Sequence, residues 1–152
     1  MKNKTILLLL FSIFALITNA QHNHPKDYFL FPINPGQRNY LAGNMGEIRP
    51  NHFHGGLDIK TGGVEGLPVL AAADGFIHRI NVSSYGYGQV MYMSHPNGYR
   101  TTYAHLKALN PKIAEWVRKK QYECEQFSVG LYPTKDQFQF KKGDTIAFSG
   151  NT

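Results

Sequence analysis

Val69-Leu-Ala-Ala-Ala-Asp-Gly-Phe-Ile-His-Arg-Ile-Asn-Val82 is the stretch that most clearly indicates the fold of this 152-residue chain. It begins with a short apolar run that ends at Ala73. Asp74-Gly75 follows, a dipeptide typical of tight β-hairpin turns. Residues 76–82 then form a second run rich in β-forming side chains. The stretch therefore predicts two strands that pair through a hairpin.

The same alternation of short strands and turns continues along the chain. His95-Pro-Asn-Gly98 contains Asn-Gly, the strongest hairpin signal of all dipeptides. Further strands are predicted at 89–94, 99–106, 127–131, 138–140 and 145–148. Short strands at this spacing predict a mainly β fold, an antiparallel β-sandwich or a barrel-like domain.

One helix is predicted to interrupt the strands. Asn110 can cap a helix, and Pro111 suits the first helical position. Ile113, Trp116 and Val117 follow at helical spacing. We therefore expect one inserted helix that ends near residue 122.

The first 20 residues have the layout of a secretory signal peptide. Lys2 and Lys4 precede an apolar run from Ile6 to Ile17, and Thr18-Asn19-Ala20 supplies small residues at a cleavage point. The run is shorter than the ~20 residues of a membrane span. We therefore expect export to the periplasm, the cell envelope or the medium, with no stable membrane span after cleavage.

The remaining chain is expected to form a single domain after a short leader. Residues 21–45 are predicted to hold the leader and a first aromatic strand at 27–34, and residues 46–152 hold the rest of the domain. The net charge of +6, which falls by two on loss of the signal peptide, comes from scattered basic residues. That scatter does not favour nucleic acid as a partner. Cys124 is the only cysteine, so the chain cannot form an internal disulfide.

Two histidines and a carboxylate lie within seven positions, at His52, His54 and Asp58. Imidazole nitrogen and carboxylate oxygen are zinc ligands at about 2.0–2.2 Å. On an extended backbone all three side chains share a face. The same spacing would align His54 and Asp58 on a helix, but Pro50 and Gly55-Gly56 argue against a helix there. By itself the pattern leaves a metal site and ordinary surface histidines both open.

Several motifs then occur in one order along the chain. They are His54-Gly-Gly-Leu-Asp58, Gly66-Leu-Pro-Val-Leu-Ala-Ala-Ala-Asp-Gly75, Tyr85-Gly-Tyr-Gly88, His95-Pro-Asn-Gly98, Thr102-Tyr-Ala-His-Leu106 and Lys142-Gly-Asp-Thr-Ile-Ala-Phe-Ser-Gly-Asn-Thr152. Across residues 46–152, apart from an insertion near 107–140, this order resembles the M23 family. These are lysostaphin- and LytM-type zinc metallopeptidases that cut peptidoglycan.

The resemblance implies site residues. His54 and Asp58 match two zinc ligands of the family, and His105 matches the catalytic histidine of its Tyr-x-His-Leu motif. In the family a later His-x-His supplies the third ligand and a second catalytic histidine. No histidine follows His105 in this sequence. We therefore expect those two residues to lie beyond Thr152, with the peptidase domain C-terminally incomplete.

The resemblance also implies a function, a zinc endopeptidase whose substrate is the peptide of cell-wall peptidoglycan. Three protein ligands would leave one zinc position for a water whose pKa falls to near 7. Two alternatives stay open: a non-catalytic, degenerate member that binds cell wall or regulates a partner hydrolase, and an exported metal- or sugar-binding sandwich. His52 is expected to have at most a supporting role, and His78 and His95 are expected to be structural.

Overall fold

The computed structural model describes residues 25–150 of the chain. The predicted signal peptide, His22, His24 and residues 151–152 lie outside this range. Within residues 25–150, no helix combines the length and the apolar character needed to cross a membrane.

The described residues form nine strands and one helix. The elements are β1 (Leu41–Gly43), β2 (Asp58–Ile59), β3 (Pro68–Leu70), β4 (Gly75–Val82), β5 (Gln89–Ser94), β6 (Arg100–Leu109), α1 (Pro111–Cys124), β7 (Val129–Leu131), β8 (Gln139–Phe140) and β9 (Thr145–Ser149).

One antiparallel sheet of seven strands dominates the molecule, in the order β3-β9-β6-β5-β4-β7 with β8 paired to β4. β1 and β2 form a separate two-stranded sheet. The prediction of a mainly β, antiparallel, barrel-like domain with one helix is therefore confirmed.

The hairpin predicted within residues 69–82 is wrong in its pairing. β3 pairs with β9, whereas β4 pairs with β5, β7 and β8, so the two strands do not pair with each other. The carboxylate of Asp74 accepts a hydrogen bond from the backbone N–H of Lys142 at 2.8 Å, and Gly143 N–H donates to the Ala71 carbonyl. These hydrogen bonds join the turn between β3 and β4 to the loop before β9. β3 therefore lies beside β9 and not beside β4.

The first strand predicted at 27–34 is also wrong. Residues 27–34 form turns and bends, and the first strand of the described chain is β1. Asp27 and Asn34 have positive φ angles, which break an extended strand at both ends. Single hydrogen bonds still join the segment to the sheet, one of them from the Leu70 N–H to the Pro32 carbonyl at 2.8 Å.

The core lies between the main sheet and α1. Its fully buried large side chains come from β4, β5, β9 and α1, namely Ile77, Ile80, Met91, Met93, Ile146 and Ile113. Val117 of α1 is also buried, and Trp116 packs edge-on against Phe138. The helix that interrupts the strands therefore contributes to the main core.

Asn110 connects α1 to β9, which yields a prediction about stability. Its Oδ1 accepts from the Lys112 N–H at 3.1 Å, and its Nδ2 donates to the Thr145 carbonyl at 3.0 Å. Because Asn110→Ala loses both the cap and this link, we expect the free energy of unfolding to fall by about 1–2 kcal/mol, measured by urea denaturation. Asn110→Asp keeps the capping oxygen and should lose less; an alanine variant as stable as the parent would refute the capping role.

Candidate metal centre

A tight backbone loop carries His54. The His54 N–H donates to the Glu47 carbonyl at 2.8 Å, and the Gly46 N–H donates to the His54 carbonyl at 2.7 Å. Ile48 and Phe53 form a bridge closer to the tip of this loop. These hydrogen bonds hold both the N–H and the carbonyl of His54, so the position of its Cα is well defined.

Asp58 is held by a different element. It is the first residue of β2 and pairs with Gly43 of β1. The next residue, Ile59, packs against the main core. Strand pairing and core packing therefore fix the position of the carboxylate relative to the loop of His54.

The two predicted ligands do come together. His54 Nε2 lies 3.1 Å from Asp58 Oδ1, and His54 Nδ1 lies 2.9 Å from the Asn44 carbonyl oxygen. Because that carbonyl only accepts, Nδ1 is the nitrogen that carries a proton. In the neutral ring, Nε2 then presents its lone pair to a carboxylate, and the contact is favourable only with a cation or a proton between them.

These residues fit a zinc ion. Two ligand atoms at 2.0–2.1 Å in tetrahedral arrangement are roughly 3.3 Å apart, close to the observed His54–Asp58 contact. A backbone carbonyl on the second ring nitrogen is the usual partner of a metal-ligating histidine. A Cβ at Gly56 would lie 4.0 Å from His54 Nε2, so the glycine leaves open the space beside that nitrogen. The donor set and its surroundings therefore suit zinc.

His52 does not join this pair. The three residues were expected to share a face of one strand, but only Asp58 lies in a strand. His52 Nδ1 lies 2.6 Å from the Asn51 side-chain oxygen, and the residue is exposed. Within residues 25–150, no group of three or more His, Cys, Asp or Glu side chains comes together to hold a metal. In the described part of the chain, His52 therefore stands apart from the His54–Asp58 pair.

His105 lies on a distorted section of β6. Its N–H donates to the Tyr87 carbonyl, its carbonyl accepts from the Gly150 N–H, and its φ is +54°. The register of β6 shifts against β5 between Tyr103 and Leu106, and against β9 between Leu106 and Ala108. A left-handed backbone is costly for a residue other than glycine, and such residues concentrate at functional sites. His105 thus combines a motif position with a left-handed backbone, which Asp27, Asn34 and Glu125 also have among the described residues.

An open groove of about 500 Å³ lies along His105. The Tyr87 ring packs edge-on against the imidazole with centroids 5.7 Å apart. Lys107 and Glu65 form an ion pair of 2.9 Å in the groove lining. The groove lining thus combines an aromatic ring, a carboxylate, an ammonium group and an imidazole.

Other residues of the family-like motifs support the fold. The Tyr103 hydroxyl accepts from the Ala72 N–H at 2.9 Å and from the Thr101 hydroxyl, and burial raises the pKa of Tyr103. His95 is buried, and its two ring nitrogens contact the Asp74 carbonyl and the Thr101 hydroxyl. Both nitrogens of His95 are occupied, so the structural interpretation of His95 is confirmed.

His78 is likewise structural. Its Nδ1 lies 3.0 Å from the Ser94 hydroxyl across the β4–β5 pair. Burial, with the nearby charges of Arg100 and Arg79, lowers the pKa of His78. The hydrogen bond joins β4 to β5, so His78 packs as part of the sheet.

The sequence interpretation gave no role to Arg49, which contacts the site directly. Its Nη2 donates to Asp58 Oδ2 at 2.7 Å and to Glu47 Oε2 at 3.1 Å. Arg49 and Asp58 are nine residues apart, a separation that neither helix nor strand periodicity brings together. Their contact arises because the 46–54 loop folds over β2. The sequence signal available was only a basic residue between Glu47 and the two ligands.

Comparison with known proteins gives one family match and two similar proteins. A family model described as peptidase family M23 matches residues 52–122, a span that includes His54, Asp58 and His105. An uncharacterized metalloprotease of Haemophilus influenzae is 31% identical over 121 residues, which is 80% of this chain and 19% of that protein. The cell division protein DipM of Caulobacter vibrioides is 29% identical over 94 residues, 62% of this chain and 14% of DipM. The chain therefore spans less than a fifth of each of these relatives.

Proposed function

The chain belongs to peptidase family M23, and from that premise we propose that it is a zinc-dependent endopeptidase acting on bacterial cell-wall peptidoglycan. The observation that carries the proposal is the 3.1 Å contact of His54 Nε2 with Asp58 Oδ1, with Nδ1 of the same ring bound to the Asn44 carbonyl. This is the arrangement of two metal ligands with an oriented imidazole.

In this proposal His54 and Asp58 hold the metal, and a third protein ligand comes from outside residues 25–150. Zinc in such a site supplies Lewis-acid polarisation of a peptide carbonyl and a lowered pKa for water. Asn44 sets the tautomer of His54 through its carbonyl, and Gly56 leaves Nε2 accessible.

His105 holds or moves the proton in this proposal. Its ring lines the groove. The hydrogen bonds that fix the residue use its backbone N–H and carbonyl and do not involve Nδ1 or Nε2. The backbone hydrogen bonds of His105 hold its Cα beside the groove. General acid–base catalysis by a positioned histidine contributes about 10²–10⁴-fold to a rate.

Peptidoglycan is the proposed substrate for two reasons. The resemblance of the ordered motifs is to cell-wall peptidases, and the predicted signal peptide would export the protein to the compartment that contains peptidoglycan. The groove at His105 is open, so a peptide still attached to a polymer has access. Exposed Tyr85 and Tyr87, on the loop beside it, offer apolar surface to such a chain.

The experiment is digestion of purified peptidoglycan by the full-length protein encoded by the gene. We expect new peptide amino termini to appear, to cease after treatment with a zinc chelator, and to return when zinc is added back. Cleavage that persists in the chelated protein would overturn the zinc-dependent mechanism. Binding to peptidoglycan without cleavage by the zinc-loaded protein would favour the degenerate, non-catalytic alternative instead.

A further inference from the structure

The Asp58 carboxylate has two oxygens with different partners. Oδ1 faces His54 Nε2 at 3.1 Å, whereas Oδ2 accepts from Arg49 Nη2 at 2.7 Å. The same guanidinium nitrogen lies 3.1 Å from Glu47 Oε2. From this division we propose that Arg49 is a positioning residue: it binds Oδ2 of Asp58, so that Asp58 binds the metal through Oδ1 alone. The inference rests on the zinc site of the proposed function.

The residue beside the Arg49–Asp58 contact is a glycine, Gly43. Gly43 pairs with Asp58 across the two-stranded sheet. A Cβ at Gly43 would come within 2.5 Å of both Arg49 Nη2 and Asp58 Oδ2, and within 3.0 Å of Glu47 Oε2. Glycine at this position therefore leaves the space in which the arginine meets the two carboxylates.

Packing alone does not explain an arginine here. Arg49 Nε is buried and has no hydrogen-bond partner among residues 25–150. Leaving a buried donor unpaired costs about 1–3 kcal/mol, more for a charged group. The Arg49–Asp58 pair is about one third exposed on both sides, so the pair itself adds little stability. An arrangement that costs stability is expected where it serves a site.

Two effects on the metal follow. Because Oδ2 is bound to Arg49, Asp58 offers one oxygen and leaves the other coordination positions to the remaining ligands and to water. Because Glu47 is bound to the same nitrogen, its carboxylate is engaged by the guanidinium. The positive charge of Arg49 opposes cation binding while its orientation of Asp58 favours it, so zinc affinity alone does not report the role.

The coordination number is the decisive readout. Cobalt(II) replaces zinc and absorbs visible light strongly when four-coordinate and weakly when it has five or six ligands. Arg49→Gln removes the hold on Oδ2 and releases Glu47. We expect the cobalt-loaded full-length Arg49→Gln protein to lose visible absorption intensity and its zinc form to lose about 10–100-fold in kcat.

Three further variants separate the possibilities. Adding Glu47→Gln to Arg49→Gln should restore part of the cobalt intensity, since the released carboxylate is gone. Arg118→Gln removes the same charge from an exposed position on α1 and should leave the spectrum and kcat unchanged. Arg49→Lys retains the charge without the planar fork and should give an intermediate spectrum. Thermal denaturation of each variant checks that the protein is folded.

The outcomes distinguish the two claims. If Asp58→Ala abolishes the cobalt spectrum and Arg49→Gln leaves it identical to that of the parent, the positioning role is wrong and the zinc site stands. If Asp58→Ala does not alter the spectrum, cobalt is bound elsewhere, and the proposed zinc site fails together with the inference. A weakened spectrum in Arg49→Gln, with Arg118→Gln unaffected, supports the inference.

Discussion

His54→Ala in the full-length protein is expected to reduce bound zinc from near one equivalent to a small fraction, and peptidoglycan cleavage to background. The imidazole is one of the two proposed ligands, and among residues 25–150 no further His, Cys, Asp or Glu side chain forms a metal-holding group with the pair. The loss of affinity should exceed the 10–100-fold typical of outer-sphere partners. Metal content after dialysis, measured by mass spectrometry, and release of amino termini check this result.

The matched control lies two residues earlier in the chain. His52→Ala removes an exposed histidine whose Nδ1 contacts only the side chain of Asn51 among the described residues. We expect His52→Ala to keep its zinc and most of its activity. If His52→Ala lost zinc and His54→Ala retained it, the ligand assignment would be reversed.

His105→Asn is expected to lower kcat by about 10²–10⁴-fold while zinc stays bound. The imidazole is removed from the groove, but His105 is not one of the two proposed metal ligands. Asparagine suits this position because it adopts the left-handed backbone that His105 has at φ +54°. The fold should therefore persist, which circular dichroism and thermal denaturation would verify.

Tyr87→Phe provides the comparison for His105→Asn. The Tyr87 ring packs edge-on against His105, and the phenylalanine ring would preserve that contact. We expect Tyr87→Phe to retain activity within a few-fold. Full cleavage by His105→Asn would remove His105 from the mechanism, and loss of zinc from that variant would instead assign it to the metal.

The local structure could largely be predicted from the sequence, because turn chemistry and β-forming side chains act over short distances. Helix α1 lies where Asn110 and Pro111 indicate its start, and the Asn97-Gly98 turn joins two paired strands. The pairing of β3 could not be predicted. Asp74-Gly75 indicates a hairpin, but the Asp74 carboxylate binds a backbone N–H 68 residues later. Contacts at such separation leave no local pattern.

The same limit applies to the metal centre. His54 and Asp58 were predicted as a pair and are in contact in the structure. The expected extended strand through His52 is absent from residues 52–57, because the chain bends at residues 50–52 and again at Gly56. Arg49 had no predicted role, since its partners depend on how the 46–54 loop folds over β2. The motif predicted which two residues come into contact, while the folded loop determines what else contacts them.

Anomalous X-ray scattering at the zinc absorption edge, on crystals of the full-length protein, tests the central claim most directly. We expect one strong anomalous peak about 2.0–2.2 Å from both His54 Nε2 and Asp58 Oδ1. A peak that lies at other side chains, with no density between His54 and Asp58 in zinc-containing crystals, would contradict it.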